Sequence, residues 1–269
     1  MATRHEMIFE GVPVAYWEGG RGFPLLLIHG SGPGASTAGN WRLVLPMLEQ
    51  HFHVIAIDLI GFGQSGRKPA PPYFDLGLWH RQANHALGLF GSEQVGVLGH
   101  SLSGSISLRL AALDRRVSHV MTTGTMGTVF PLNEHLVRTW SFPPTRDAIR
   151  LAARSLIFDE SVITDPYIDG RVEVLHQGDY GDYFASMFEG DKQRYIDAAA
   201  LDGRLLRDIV ARVCMVHGRN DLPIPWQAAS CRLAEFMPQA DVMLLARCGH
   251  SPALEHPEKL VALARDFFR

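Results

Sequence analysis

Three residues of this chain, Ser101, His250 and Asp221, are of the types and in the chain order that could share the work of a nucleophilic attack. Ser101 sits in Gly99-His100-Ser101-Leu102-Ser103-Gly104, directly after the apolar run Gln94–Leu98 and before a helix expected to begin near Leu102. A strand, a tight turn and a helix in that order hold a serine hydroxyl out at the end of a sheet. Such a turn strains the serine backbone, so its neighbours must be small. Gly99 and Gly104 meet that need, and Ser103, which replaces the glycine of the usual G-x-S-x-G pattern, is still small. A hydroxyl is a poor nucleophile at neutral pH and requires an adjacent base. Of thirteen histidines, His250 in Cys248-Gly249-His250 is the candidate, because it follows the run Val242–Leu245 and precedes the final helix. That loop opens on the carboxyl edge of the sheet, the same edge as Ser101. The base in turn needs a carboxylate to hold its tautomer. Asp221 supplies one in Gly218-Arg219-Asn220-Asp221, after the run Val213–Val216. Asp58 also ends an apolar run, but it precedes the nucleophile and so breaks the serine–acid–histidine order. With Gly61 and Gly63 it reads as part of a structural turn.

A tetrahedral intermediate needs hydrogen-bond donors where its oxyanion forms. The N–H of Leu102 is one, and Ser31 or Gly32 of the turn His29-Gly30-Ser31-Gly32-Pro33-Gly34 is the other. That turn lacks the Gly-Lys-Ser/Thr ending of a phosphate loop, and G-x-G-x-x-G spacing is missing, so no nucleotide is expected there. The chain has no H-E-x-x-H and no clustered Cys/His set, and the chemistry outlined calls for neither a metal nor an organic cofactor.

These residues must be held by a sheet. Ile8–Phe9 and Val12–Trp17 flank a glycine turn and read as an opening hairpin. The runs Pro24–Ile28, Val54–Ile57 and Gln94–Leu98 lack strict alternation, as strands covered on both faces should. Val117–Thr122, Val213–Val216 and Val242–Leu245 continue the series, with helix-length segments between them. The fold class is therefore α/β, a mostly parallel doubly wound sheet. From about Phe130 to Gly203 the strand runs stop and short helical patterns replace them, as in Asp147–Ile157 and Tyr195–Leu201. We read residues 131–203 as a helical lid inserted into a core made of residues 1–130 and 204–269. Pro257 suits a first helical turn, and Leu260, Val261, Leu263, Ala264, Phe267 and Phe268 then form one apolar face.

The balance of 46% hydrophobic and 20% charged residues is that of a folded globular chain, and the net charge of −3 carries no basic cluster. A nucleic-acid partner is therefore not expected. The apolar runs are too short to span a bilayer, and the first eleven residues lack a signal-peptide core, so no membrane partner is expected either. Cys214, Cys231 and Cys248 form an odd set without C-x-x-C spacing, which fits free thiols in the cytoplasm. The remaining partner is a small-molecule substrate, with assembly into a homo-oligomer left open.

The chain resembles the meta-cleavage product hydrolases of aromatic degradation, members of the α/β-hydrolase fold that cut a carbon–carbon bond in 2-hydroxy-6-oxo-dienoates. The resemblance runs through His29–Ala35, Asn40-Trp41, Val54–Ser65, the Ser101 turn, Gly218–Asp221, Cys248–His250, Phe158–Thr164 and Gly170-Arg171. It implies that Arg171 reaches from the lid to the substrate's carboxylate and 2-oxo end, a task suited to a fork that pairs bidentately and stays charged. It implies that Asn40 adds a neutral hydrogen bond at that end. His100 stands where the group often has asparagine, and Ser251 where it often has tryptophan. Both positions should border the substrate cavity. A carboxylesterase or lactonase using the same three residues is the alternative activity, and a non-catalytic ligand-binding member of the fold is a second. Epoxide hydrolase and haloalkane dehalogenase chemistry would need a carboxylate in place of Ser101.

Overall fold

The computed structural model describes residues 1–91 and 94–269. Eight strands form one sheet in the order β1-β2-β4-β3-β5-β6-β7-β8. They are β1 Thr3–Phe9, β2 Val12–Gly19, β3 Phe23–Ile28, β4 Phe52–Ile57, β5 Val95–His100, β6 Val117–Thr123, β7 Arg212–Gly218 and β8 Ala240–Leu245. β1 and β2 make the expected hairpin, β2 runs antiparallel to β4, and every later pairing is parallel.

Why the central strands lack a polar alternation is visible in the packing. Leu26, Ile28, Ile55, Ile57, Val95 and Val97 point into one apolar cluster, while Leu25, Leu27, Val54, Ala56 and Leu98 point into another on the opposite face. Side chains alternate between faces, so a strand covered twice must be apolar at every position. Helices Leu76–Leu87 and Leu102–Leu113 pack on the first face. The final helix, Pro257–Phe267, buries Leu260, Val261, Ala264 and Phe267 on the second.

Several strands run a residue or more beyond the sequence reading, and two of these differences are instructive. The strand before Ser101 begins at Val95 and continues through His100, so Ser101 follows the last strand residue directly. β1 starts at Thr3 rather than near Ile8, because seven backbone pairs to β2 carry it despite its largely exposed side chains.

Between β6 and β7 the chain is helical, with segments Glu134–Thr139, Arg146–Leu156, Asp165–Leu175, Tyr180–Met187 and Gln193–Ala199. Side-chain caps start several of them: Asn133, Thr145 and Thr164 each accept an N–H of the first turn, which satisfies donors that have no intrahelical partner. Among the described residues no helix is long and apolar enough to cross a membrane. Cys214, Cys231 and Cys248 are unpaired.

Candidate active site

The sheet order places β3 between β4 and β5, so successive connections leave it in opposite directions and open a crevice at the strands' carboxyl ends. Ser101 stands at the end of β5 with φ 59° and ψ −121°, a region costly for any residue with a Cβ. The strain is held by hydrogen bonds at both ends of the residue: Ser101 N donates 2.9 Å to Thr123 O, and Ser101 O accepts from Gly104 N and Met126 N at 3.0 Å. Gly99 is obligatory, since a Cβ there would lie 2.2 Å from Ser107 Oγ and 2.4 Å from Ser103 O. The serine at position 103 has a use that the sequence hid. Its hydroxyl donates to the carbonyl of His29 and so ties the helix after Ser101 to the loop after β3.

His250 Nε2 lies 2.9 Å from Ser101 Oγ, and its Nδ1 lies 2.7 Å from Asp221 Oδ2. A carboxylate can only accept, so Nδ1 carries the hydrogen and, in the neutral ring, Nε2 offers its lone pair to the serine hydroxyl. All three side chains are buried. The ring approaches so closely that a Cβ on Gly124 would sit 2.8 Å from its Nδ1, which makes glycine necessary there. Burial by itself would raise the pKa of Asp221. The charge on His250 and hydrogen bonds from His217 and His250 outweigh it and leave the carboxyl far below the usual aspartate range. Asp58 is elsewhere: its two oxygens accept from Thr37 N at 2.6 Å and Gln64 N at 2.7 Å, which makes it the brace of two loops.

Leu102 opens its helix, so its N–H belongs to the first turn, where no intrahelical carbonyl is available. Ser31 and Gly32 face Ser101 across the same cavity, which has about 670 Å³ of empty space including its open mouth. Asn40, His100, Arg171 and Ser251 line it too, so every position read as substrate-facing is brought to one place. Arg171 comes from helix Asp165–Leu175 and hangs on the loop after β3, its Nη1 donating to Pro33 O at 3.1 Å and Gly34 O at 2.9 Å. Its guanidinium also lies 5.4 Å from the Tyr167 ring centre. Asn40 Oδ1 is buried without a hydrogen-bond partner, an arrangement folded proteins rarely leave in place without a reason. His100 Nδ1 lies 3.1 Å from Thr123 O, an acceptor only, so that nitrogen is the protonated one and Nε2 is left as an acceptor. Burial, then the neighbouring His250, pushes the His100 pKa down to about 3, which keeps the ring neutral.

Three contributors went unread in the sequence. Trp140 Nε1 donates to Ser31 Oγ at 3.1 Å, and because indole only donates, the Ser31 hydrogen is left to point elsewhere. Glu255 accepts from Gly249 N at 2.8 Å and from Phe158 N at 2.7 Å, joining the His250 loop to the helical segment. The His250 N–H adds a 2.7 Å bond to Leu156 O at the same junction. His217, at the end of β7, contacts Asp221. No motif or spacing marked any of them. Among the described residues no group of three or more His, Cys, Asp or Glu is placed to hold a metal ion.

A strained serine turn on a central parallel strand, with an aspartate and a histidine following in chain order on the same sheet edge, defines a class, and comparison with known proteins agrees. The chain belongs to the Alpha/beta hydrolase family, whose profile matches residues 25–263. Within it, the chain is 34% identical to the 2-hydroxymuconate semialdehyde hydrolase of Pseudomonas sp. strain CF600, over 97% of this chain and 92% of that protein. It is 31% identical to the 2-hydroxy-6-oxo-2,4-heptadienoate hydrolase of Pseudomonas putida strain F1, over 96% and 93% of the two chains. A solved meta-cleavage product hydrolase from Pseudomonas fluorescens IP01 superposes with a TM-score of 0.93 at 30% identity, covering 98% of this chain and 97% of that one.

Proposed function

We propose that the protein hydrolyses a carbon–carbon bond in 2-hydroxy-6-oxo-dienoates formed by ring cleavage during aromatic degradation, with Ser101 as nucleophile, His250 as base and Asp221 as the acid that orients it. The observation that carries this reading is the shared cavity. Arg171 and Asn40, whose buried Oδ1 is unpartnered, line the same space as the Ser101–His250 pair. An ester needs only the nucleophile and its oxyanion donors. A dienoate also needs its anionic end held, and these two residues match a carboxylate and a hydroxyl that donates. The names of the two relatives favour the same substrate class.

In this mechanism Arg171, Asn40 and His100 bind the carboxylate and 2-hydroxy end. Moving the hydroxyl proton to C5 gives a diketone whose C5–C6 bond can break. His250 takes the proton of Ser101, or of a water, for attack on the C6 carbonyl, and the N–H groups of Leu102 and of Ser31 or Gly32 hold the oxyanion. Collapse breaks C5–C6, leaves the electron pair delocalised as a dienolate, and releases a 2-hydroxydienoate and a carboxylic acid after hydrolysis. Residues 131–203 act as the lid and residues 1–130 with 204–269 as the core, a division supported by Tyr167, Arg171 and Leu175 entering the cavity from the inserted helices. A small molecule is the partner and the cytoplasm the site of action, in keeping with three unpaired thiols.

The test is the decay of absorbance of a panel of coloured ring-cleavage dienolates with the purified protein. Turnover with loss of the dienolate band is expected. Protein that hydrolyses aryl esters but leaves every dienolate untouched would sink the reading in favour of an esterase or lactonase.

A further inference from the structure

The mechanism leaves one buried titratable group beside the acid without a task. His217 is the penultimate residue of β7, four residues before Asp221, and is completely buried. Its Nε2 lies 3.0 Å from Asp221 Oδ2 and 3.0 Å from Ile224 O. Both neighbours accept only, so Nε2 must carry a hydrogen whatever the charge on the ring. Its Nδ1 lies 2.7 Å from Ser230 Oγ, itself fully buried on the π-helical segment Gln227–Cys231. Asp221 is therefore approached by three N–H groups: the Ile224 N–H donates at 2.9 Å to Oδ1, His250 Nδ1 lies 2.7 Å from Oδ2, and His217 Nε2, whose hydrogen is shared with Ile224 O, lies 3.0 Å from the same oxygen.

We infer that His217 is a positioning residue for the hydrolysis, one that holds the plane of the Asp221 carboxylate so that Oδ2 aims at His250, and that Ser230 holds His217 in turn. The inference rests on the proposed roles of Asp221 and His250. Its physical basis is a division of labour in the loop after β7. The backbone there is already fixed without His217: Arg219 N bonds Leu245 O, Asn220 N bonds Cys248 O, and Asp221 N bonds Gly218 O. What those bonds cannot fix is rotation of the carboxylate about its own Cβ–Cγ bond. Ile224 N restrains one oxygen only, and His250 is the group to be oriented, so it cannot serve as the reference. His217, anchored at both ring nitrogens, supplies that reference. The chain of contacts runs from Ser230 through His217, Asp221 and His250 to Ser101, and buried hydrogen bonds in such a chain strengthen one another.

The experiment compares His217→Leu, His217→Gln and Ser230→Ala with the wild type, on a dienolate and on a neutral aryl ester in parallel. Losing a polarised N–H held 3.0 Å from a charged carboxylate that matters most in the transition state should lower kcat by about 10- to 100-fold in His217→Leu, with KM within about 2-fold. Glutamine presents an N–H at similar reach, so His217→Gln should return to within about 3-fold of wild type. Because the effect passes through His250, both substrates should lose the same factor. The low-field proton resonance of His250 Nδ1–H should be displaced in His217→Leu and restored in His217→Gln. A folded His217→Leu protein with wild-type kcat, or a His217→Gln protein as impaired as the leucine variant at equal thermal stability, overturns the inference. Should His217→Leu fail to fold, Ser230→Ala decides it: a kcat reduced about 3-fold with a displaced resonance is expected, and both unchanged overturns it. Wild-type protein inert toward every dienolate would instead remove the substrate assignment, with the ester and resonance arms still testing His217.

Discussion

The sheet edge that carries Ser101, Asp221 and His250 and the helical segment between β6 and β7 share one apolar cluster but differ in their polar contacts. On the sheet edge the functional side chains are buried and each is fixed by short hydrogen bonds to buried partners. The helical segment braces its own helices with exposed ion pairs, such as Arg150 to Asp165 and Arg154 to Glu160, and exposed pairs are worth about 0–1 kcal/mol each. It packs through a shared apolar cluster that includes Trp140, Phe184 and Phe188, and it adds directed contacts to the sheet edge: Arg171 to Pro33 and Gly34, Trp140 to Ser31, and the junction of Leu156, Phe158 and Glu255 with the His250 loop. The difference separates two jobs. On the proposed function, the edge performs the acyl chemistry and the helical cover packed on it selects which substrate is held.

That contrast can be broken at several points. The largest effect is expected on the edge itself: Ser101→Ala should reduce turnover of every substrate by roughly 10³-fold or more, measured by steady-state kinetics on a variant with an unchanged circular dichroism spectrum. Near-normal turnover would remove Ser101 from the chemistry. Asp221→Asn should lower kcat by about 10²–10⁴-fold because the His250 tautomer is no longer fixed. Asp58→Asn should act on stability, at a cost of about 1–3 kcal/mol, since it turns one of two buried acceptors into a donor facing a donor. Chemical denaturation with kinetics on both variants would reveal a reversed pattern if the acids were misassigned.

On the cover, Arg171→Ala should reduce kcat/KM for a dienolate by on the order of 10²-fold while sparing a short neutral aryl ester. A ratio of the two specificities that does not change would take Arg171 out of the substrate site and leave it as a loop anchor. The junction should be weaker still. Glu255→Gln replaces one of its accepting oxygens with a donor and should lower kcat by about 3- to 10-fold on both substrates. An effect confined to the dienolate would mean that Glu255 serves the cover alone.

The acid also carries a pH signature. The Asp221 carboxyl titrates below its ordinary range in the folded chain. Its ionised form therefore adds stability that is fully present above about pH 4 and is lost as the pH falls through the depressed folded value. Urea unfolding followed from pH 6 downward should show a shallower loss for Asp221→Asn than for wild type. Parallel curves would refute the assigned direction.

Much of this was legible in the amino-acid sequence, for a local reason. A doubly covered strand must be apolar at successive positions, so the runs from Pro24–Ile28 to Val242–Leu245 announced the sheet. A strained turn must be flanked by small residues, so Gly99 announced Ser101. Chain order then separated Asp221 from Asp58. What only the tertiary structure decided depends on segments far apart in the chain. Ser103 reaches back 74 residues to the His29 carbonyl, Trp140 meets Ser31 across 109 residues, and Arg171 meets Gly34 across 137. His217 is close to Asp221 in sequence, yet a strand end and a following turn can aim two side chains together or apart. The choice belongs to Ile224 and Ser230, which the turn after β7 folds back onto the imidazole. Side-chain sterics write turns and strands into neighbouring residues, whereas a hydrogen bond between distant groups exists only once packing has brought them within about 3 Å.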